Sequence, residues 1–301
     1  MTGSRPIVDL MFGDFLFLVM DQLANQAAKQ HYMSGGKLKV PMVLRTNFGA
    51  TRRSAAQHSQ SLQAMVAHIP GLKVAMPSSP YEAKGLMKTA IRDNNPVVSF
   101  EDKLMYQDKA EVPEEEYLSP FGVANVKRVG FDITLVGTSS MVQVAEKAAE
   151  ILALEGISAE VIDPRTIVPL DMDTINESVR KTSRCIVIDE GHQSFGVNSG
   201  IAARIMEQSI YHLDGPVIRM SAMDMPIPCS PALEDVTVPT PEGGTHEQGF
   251  WAAVLKGIKS YGERVNNKKA TNITREDLTT GAGALVSCFI RDPEFVGQTK
   301  D

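Results

Sequence analysis

The chain is poor in cysteine, with three in 301 residues: Cys185, Cys229 and Cys288. They lie too far apart for a metal-ligand spacing or a disulfide framework, which suits a reducing compartment. Long apolar runs are missing as well. No stretch approaches the ~20 residues of a membrane span, so no membrane partner is expected. The opening, MTGSRPIVDLMFGDFLFLVM, has neither a basic region before its apolar residues nor a small-residue cleavage site, which argues against a secretory signal and for a cytoplasmic protein. Positive charge is not in surplus: the net charge is −6, so DNA is an unlikely partner. What is present, 43% hydrophobic against 22% charged residues, is the composition of a soluble globular protein. The length is enough for two domains with full cores.

The organisation is α/β. PMVLR (41–45), LKVAM (72–76) and PVVSF (96–100) read as buried strands. Between the last two, Ser79 and Pro80 form a cap followed by a proline at the first helical position, and Ala83, Leu86, Met87, Ala90 and Ile91 share one face of the helix that follows. A proline- and glutamate-rich stretch, 112–121, reads as a linker. Beyond it, DITLVG (132–137), SAEVID (158–163), RCIVIDE (184–190) and PVIRM (216–220) are strands, separated by helical patterns at about 140–154, 172–181 and 197–209. The alternation predicts parallel sheets with covered faces and right-handed crossovers, in two units at about 1–111 and 122–238. RPIVDLMFGDF opens the first unit with what would be an internal strand.

SAAQHSQS (54–61) places His58 in a polar loop after an arginine pair. Histidine can move protons near neutrality, although a loop histidine taken alone is more often structural or merely exposed. Further words are FGDF, DQLANQAAKQHYMSGG, HIPGLKVAMPSSPYEAKGLMKTAIRDNNPVV, EVIDPRTIVPLD and MPIPCSPALED. In this order, residues 1–238 resemble the beta chain of the decarboxylating component of 2-oxoacid dehydrogenase complexes, the pyruvate branch most of all. The resemblance implies a transketolase-like pyrimidine-binding domain (1–111) and a transketolase C-terminal α/β domain (122–238). It also implies an alpha chain as partner in a heterotetramer, thiamine diphosphate and magnesium held between the chains, and acyl transfer to a lipoyl-bearing acyltransferase core. His58 then matches the active-site histidine, near the thiazolium and the lipoyl arm. Phe15 matches the aromatic packed on the aminopyrimidine; alone it reads equally well as core. Ala90, Ile91, Asp93, Asn95 and Met42 match a potassium-binding turn, which a helix C-terminus with free carbonyls makes chemically sound; a plain Asp-Asn turn is the other reading.

The family pattern is incomplete in this sequence. Its glutamate that hydrogen-bonds the aminopyrimidine lies in an acidic motif upstream of residue 1 and has no counterpart in the chain, which implies an N-terminally incomplete beta chain with impaired turnover. The diphosphate and magnesium motif belongs to the alpha chain. GDF at 13–15 lacks its second glycine.

The end of the chain resembles something else. In TPEGGTHEQGFWAAVLKGI (240–258), Thr245 and Gln248 form a capping box, and Phe250, Trp251, Val254, Leu255 and Ile258 give an apolar helical face. Together with NITREDLTTGAGALVSCFIRDPEFVGQTKD, residues 239–301 resemble the ATP-operated chain of bacterial type II topoisomerases, DNA gyrase B or its topoisomerase IV counterpart, running into a short transducer-like α/β tail. By that resemblance Gln298 and Lys300 of the QTK loop match contacts to the gamma phosphate of ATP. The join falls near Val238–Pro241. Three functions stay open: the beta chain of an oxidoreductase, a type II topoisomerase ATPase fragment, and a non-catalytic assembly module.

Overall fold

The computed structural model describes residues 3–50 and 52–241. The helical reading at 245–258, together with Gln298 and Lys300, lies outside the described residues. Residues 1–244 form one compact unit, built on two five-stranded sheets.

The first sheet has the order β1 (Ile7–Leu10), β2 (Val43–Phe48), β4 (Val97–Asp102), β3 (Lys73–Ala75), β8 (Thr166–Val168). Its first four strands are parallel, while β8 runs antiparallel to β3. The opening segment is thus an edge strand, with Ile7 and Val8 51% and 40% exposed. One face is covered by a continuous helical stretch, α1 (Leu16–Met20), a π-type segment (Asp21–Ala27) and α2 (Ala28–Met33), together with α3 (Gln63–Ala67). Leu16, Leu23, Phe48, Val66, Val98 and Phe100 pack there. On the other face α4 (Pro80–Arg92) packs Ala90 against Val43 and Val97. It begins as its sequence dictates: the Ser79 side chain accepts from the Glu82 N–H at 3.3 Å, and Pro80 stands at the first position.

The second sheet has the order β10 (Ile218–Ala222), β9 (Cys185–His192), β6 (Ile133–Gly137), β7 (Ala159–Asp163), β5 (Asn125–Arg128). It is parallel apart from β5. Helix α5 (Ser140–Leu154) covers one face; α6 (Met172–Thr182) and α7 (Val197–Ser209) cover the other. A short helix, α8 (Pro231–Glu234), follows β10.

Both sheets are therefore mixed, where the alternation predicts parallel ones. The cause is two strands of three and four residues, β8 and β5, which are too short to show a period. Strand β8 also carries residues of the second unit into the first sheet. Buried polar contacts follow the same path: the Arg165 guanidinium reaches Glu82 at 2.7 Å, the Ser78 hydroxyl donates to Asp163, and the Gln63 amide donates to Asp189 at 3.2 Å.

Candidate active site at the carboxyl ends of the first sheet

Strands β1, β2 and β4 are parallel neighbours, so the segments that follow them emerge along one edge. In open α/β sheets this is where ligands bind. After β1 comes Phe12 and a helical turn, Gly13–Phe15. After β2 the chain turns at Gly49 into a loop ending in a second helical turn, Ala56–His58. After β4 comes Lys103.

These segments meet in an aromatic cluster. The His58 ring lies 4.9 Å from Phe12 and 6.0 Å from Phe15, edge-on to the latter, and the two phenylalanines are 5.8 Å apart. The structure thus brings His58 and Phe15 together. It also adds Phe12, which sequence reasoning misses although FGDF places this second aromatic three residues before Phe15. The Lys103 ammonium lies 5.5 Å from the Phe12 centroid.

The His58 loop is shaped from outside. Gly49 takes φ +98°, and a Cβ there would stand 2.8 Å from the Glu190 carboxylate, so only glycine fits. Arg53 and Ala55 also have positive φ, 58° and 60°. From the second sheet, Glu190 accepts the Ala50 N–H. From α8, the fully buried Glu234 accepts the Arg53 N–H at 3.1 Å and its guanidinium at 2.8 Å. Burial pushes the Glu190 carboxyl well above its ordinary pKa, and neighbouring Asp102 pushes it further. Asp14 accepts from the backbone and amide of Gln60, at 3.2 and 2.9 Å.

Buried polar atoms left without a partner gather here. Among the described residues they include Asp14 Oδ2, Asn47 Oδ1, His58 Nδ1 and Ser59 Oγ. Such atoms are costly unless something else meets them. Their concentration beside an aromatic cluster fits a planar polar ligand.

The other predicted turn is built differently. Arg5 donates to the carbonyls of Ile91 (3.0 Å) and Asp93 (2.6 Å), while the Ala90 and Met42 carbonyls accept the N–H groups of Asp93 and Val97. Lys73 pairs with the Asp93 carboxylate, and Asn95 donates to it. Burial raises the Asp93 pKa, but Lys73 and Asn95 more than offset this and leave it below the usual range. The carbonyls of Met42, Ala90, Ile91 and Asp93 thus all accept hydrogen bonds from within the chain. Among the described residues no cluster of three or more His, Cys, Asp or Glu side chains would hold a metal. None of the described helices is long and apolar enough to cross a membrane.

Comparison with known proteins agrees with this architecture. The family profile described as transketolase, pyrimidine binding domain, matches residues 1–109, and that described as transketolase, C-terminal domain, matches 122–243. A third, described as DNA gyrase B, matches 237–301. The beta subunit of acetoin:2,6-dichlorophenolindophenol oxidoreductase from Bacillus subtilis is 49% identical over 241 residues, 80% of this chain and 70% of that one. The beta subunit of the pyruvate dehydrogenase E1 component from Rickettsia felis is 45% identical over 238 residues, 79% and 73% of the two chains. A solved structure of a split gene transketolase, an inactive beta4 tetramer, matches with a TM-score of 0.65 at 21% identity, covering 80% of this chain and 73% of that one, which speaks for the fold alone. The chain belongs to the family of transketolase-like beta subunits that includes those of the pyruvate dehydrogenase E1 component and of acetoin oxidoreductase.

Proposed function

We propose that this chain is the beta subunit of a thiamine-diphosphate-dependent 2-oxoacid dehydrogenase component, pyruvate being the expected substrate, working in the bacterial cytoplasm with an alpha chain in a heterotetramer. The observation that carries this reading is the cluster of Phe12, Phe15 and His58 among unpartnered buried polar atoms at the carboxyl ends of β1, β2 and β4. A ring at Phe15 suits an aminopyrimidine, and the magnesium-diphosphate end falls to the alpha chain. When bound, the cofactor supplies a nucleophilic carbon and a sink for the electron pair released on decarboxylation. Phe15 would hold the aminopyrimidine ring, and His58 would hold and move the proton that acyl transfer to a lipoyl group of the acyltransferase core requires.

A second substrate is favoured by the Bacillus subtilis relative, which is named for its activity on acetoin. The assembled alpha–beta component, assayed on pyruvate and on acetoin with dichlorophenolindophenol as acceptor, separates the two. On the better substrate, His58→Gln is expected to lower turnover by about 10²–10⁴-fold, the range for losing a general acid/base. A His58→Gln assembly that turns over at the parent rate overturns the assignment of His58. The gyrase-like segment has its own test: calorimetry with ATP, where binding abolished by Lys300→Ala would support a nucleotide contact by Gln298 and Lys300.

A further inference from the structure

Lys103 is almost fully buried, with 5% of its surface exposed. Its ammonium donates to the carbonyl of Gly49 at 2.9 Å and to that of His58. Those two residues are the ends of the loop that carries the imidazole. Burial lowers the Lys103 pKa, against the pull of Asp14, Glu190, Asp102 and Glu234. A lysine is rarely buried unless its donors are used. Here they are spent on two main-chain oxygens.

The loop needs such a device. Gly49, Arg53 and Ala55 hold positive φ, so no regular ladder fixes its path. Glu190 and Glu234 restrain it through the N–H groups of Ala50 and Arg53. Lys103 restrains it through carbonyls, and the Arg52 guanidinium closes back onto the Lys103 carbonyl. The same ammonium faces Phe12, on which His58 packs.

We propose that Lys103 is the positioning residue for His58: one buried ammonium ties the two ends of the loop together and so aims the imidazole at the Phe12–Phe15 pair. The proposal rests on the assigned role of His58 for its catalytic meaning, but the geometry can be tested separately.

Lys103→Met keeps much of the stem and removes the donors. In the full chain, carbethoxylation of each histidine by diethyl pyrocarbonate is followed by mass spectrometry of its peptide. The His58 peptide is expected to react at least about tenfold faster in Lys103→Met, the smallest change implied by losing hydrogen bonds from a charged group. The peptides of His31, His68, His192 and His212 should keep their rates, and Lys103→Arg should return His58 toward the parent value. A His58 rate unchanged in Lys103→Met of parental far-ultraviolet dichroism overturns the proposal, as does an equal rise at all histidines. If Lys103→Met does not fold, Lys103→Gln, which is uncharged and one atom shorter than the lysine, gives the same reading. In the assembled component the loss should fall on kcat with KM for the 2-oxoacid kept. Were His58→Gln to retain full turnover, the functional assignment would fail while the peptide rates still decided the geometry.

Discussion

In the second sheet both faces are sealed. Val136, Ile162, Val187, Ile175, Val179, Ile201 and Ile205 pack on the α6–α7 side, and Leu135, Val161, Ile188, Val142, Ala145 and Ala149 on the α5 side. The first sheet is covered less evenly. One face has a large cluster, and the other a smaller one of Val43, Ala90 and Val97 with Met87, Ile91 and Phe121 packed against it. Its edge strand and first helix leave Met11, Phe17 and Leu18 71%, 56% and 79% exposed. The unpartnered polar atoms of the site lie at the ends of this sheet. The sealed half supplies fixed carboxylates, Glu190 and Glu234, and the open half supplies the groups they hold. Stability and chemistry are thus divided between the sheets, with β8 and the buried polar contacts joining them.

Three measurements sharpen that contrast. The largest effect should come from the sealed half. Ile175→Ala removes a fully buried side chain between α6 and the sheet, at a cost of about 2–5 kcal/mol in urea unfolding. Val8→Ala on the open edge should stay within about 0.5 kcal/mol. Equal costs would erase the distinction.

The second test addresses the seam. Asp163 is buried, and desolvation pushes its pKa up to about 6 despite hydrogen bonds from Ser78 and the Arg165 N–H. The folded state keeps this proton to higher pH than the unfolded chain, so between about 4 and 6 the folded state binds more protons. The contribution of Asp163 to stability therefore falls as pH rises through that window, by roughly 3 kcal/mol for a shift of about two units. Asp163→Asn should flatten the stability profile there. A profile of unchanged slope would show that the seam does not titrate in this way.

The third and smallest effect belongs to the open half. Phe15→Ala removes one aromatic face from the cluster, an interaction of about 0.5–1.5 kcal/mol. Thiamine diphosphate binding to the alpha–beta assembly should weaken by about 2–12-fold, read from the quenching of protein fluorescence. No change would move the pyrimidine site away from Phe15.

Long elements with a clear period are legible in the sequence. Strand β9 and helices α4, α5, α6 and α7 stand within a residue or two of their patterns, because burial of one face or both leaves a countable repeat. The helical stretch from 16 to 33 is not legible although Leu16, Leu23 and Ala27 recur at helical spacing, since the exposed Phe17 and Leu18 blur its apolar face. Strands β5 and β8 are too short. At the site, His58 and Phe15 stand out by resemblance, and the structure brings them together. Phe12 is hidden in an apolar run. Lys103, Glu190 and Glu234 carry no signal at all: a charged residue near the end of a strand, or in a short helix, reads as solvated until the fold buries it. The contact of Arg5 with residues 90–95 is hidden for a related reason, because Arg5 stands eighty-six residues from Ile91 in the chain.

The grip of Glu234 on Arg53 also bears on the order in which the site can be completed. Glu234 belongs to α8, which follows every strand of both sheets, and it holds the N–H and the guanidinium of a residue 181 positions earlier. During synthesis the loop of His58 therefore waits for a helix that leaves the ribosome long after the loop itself.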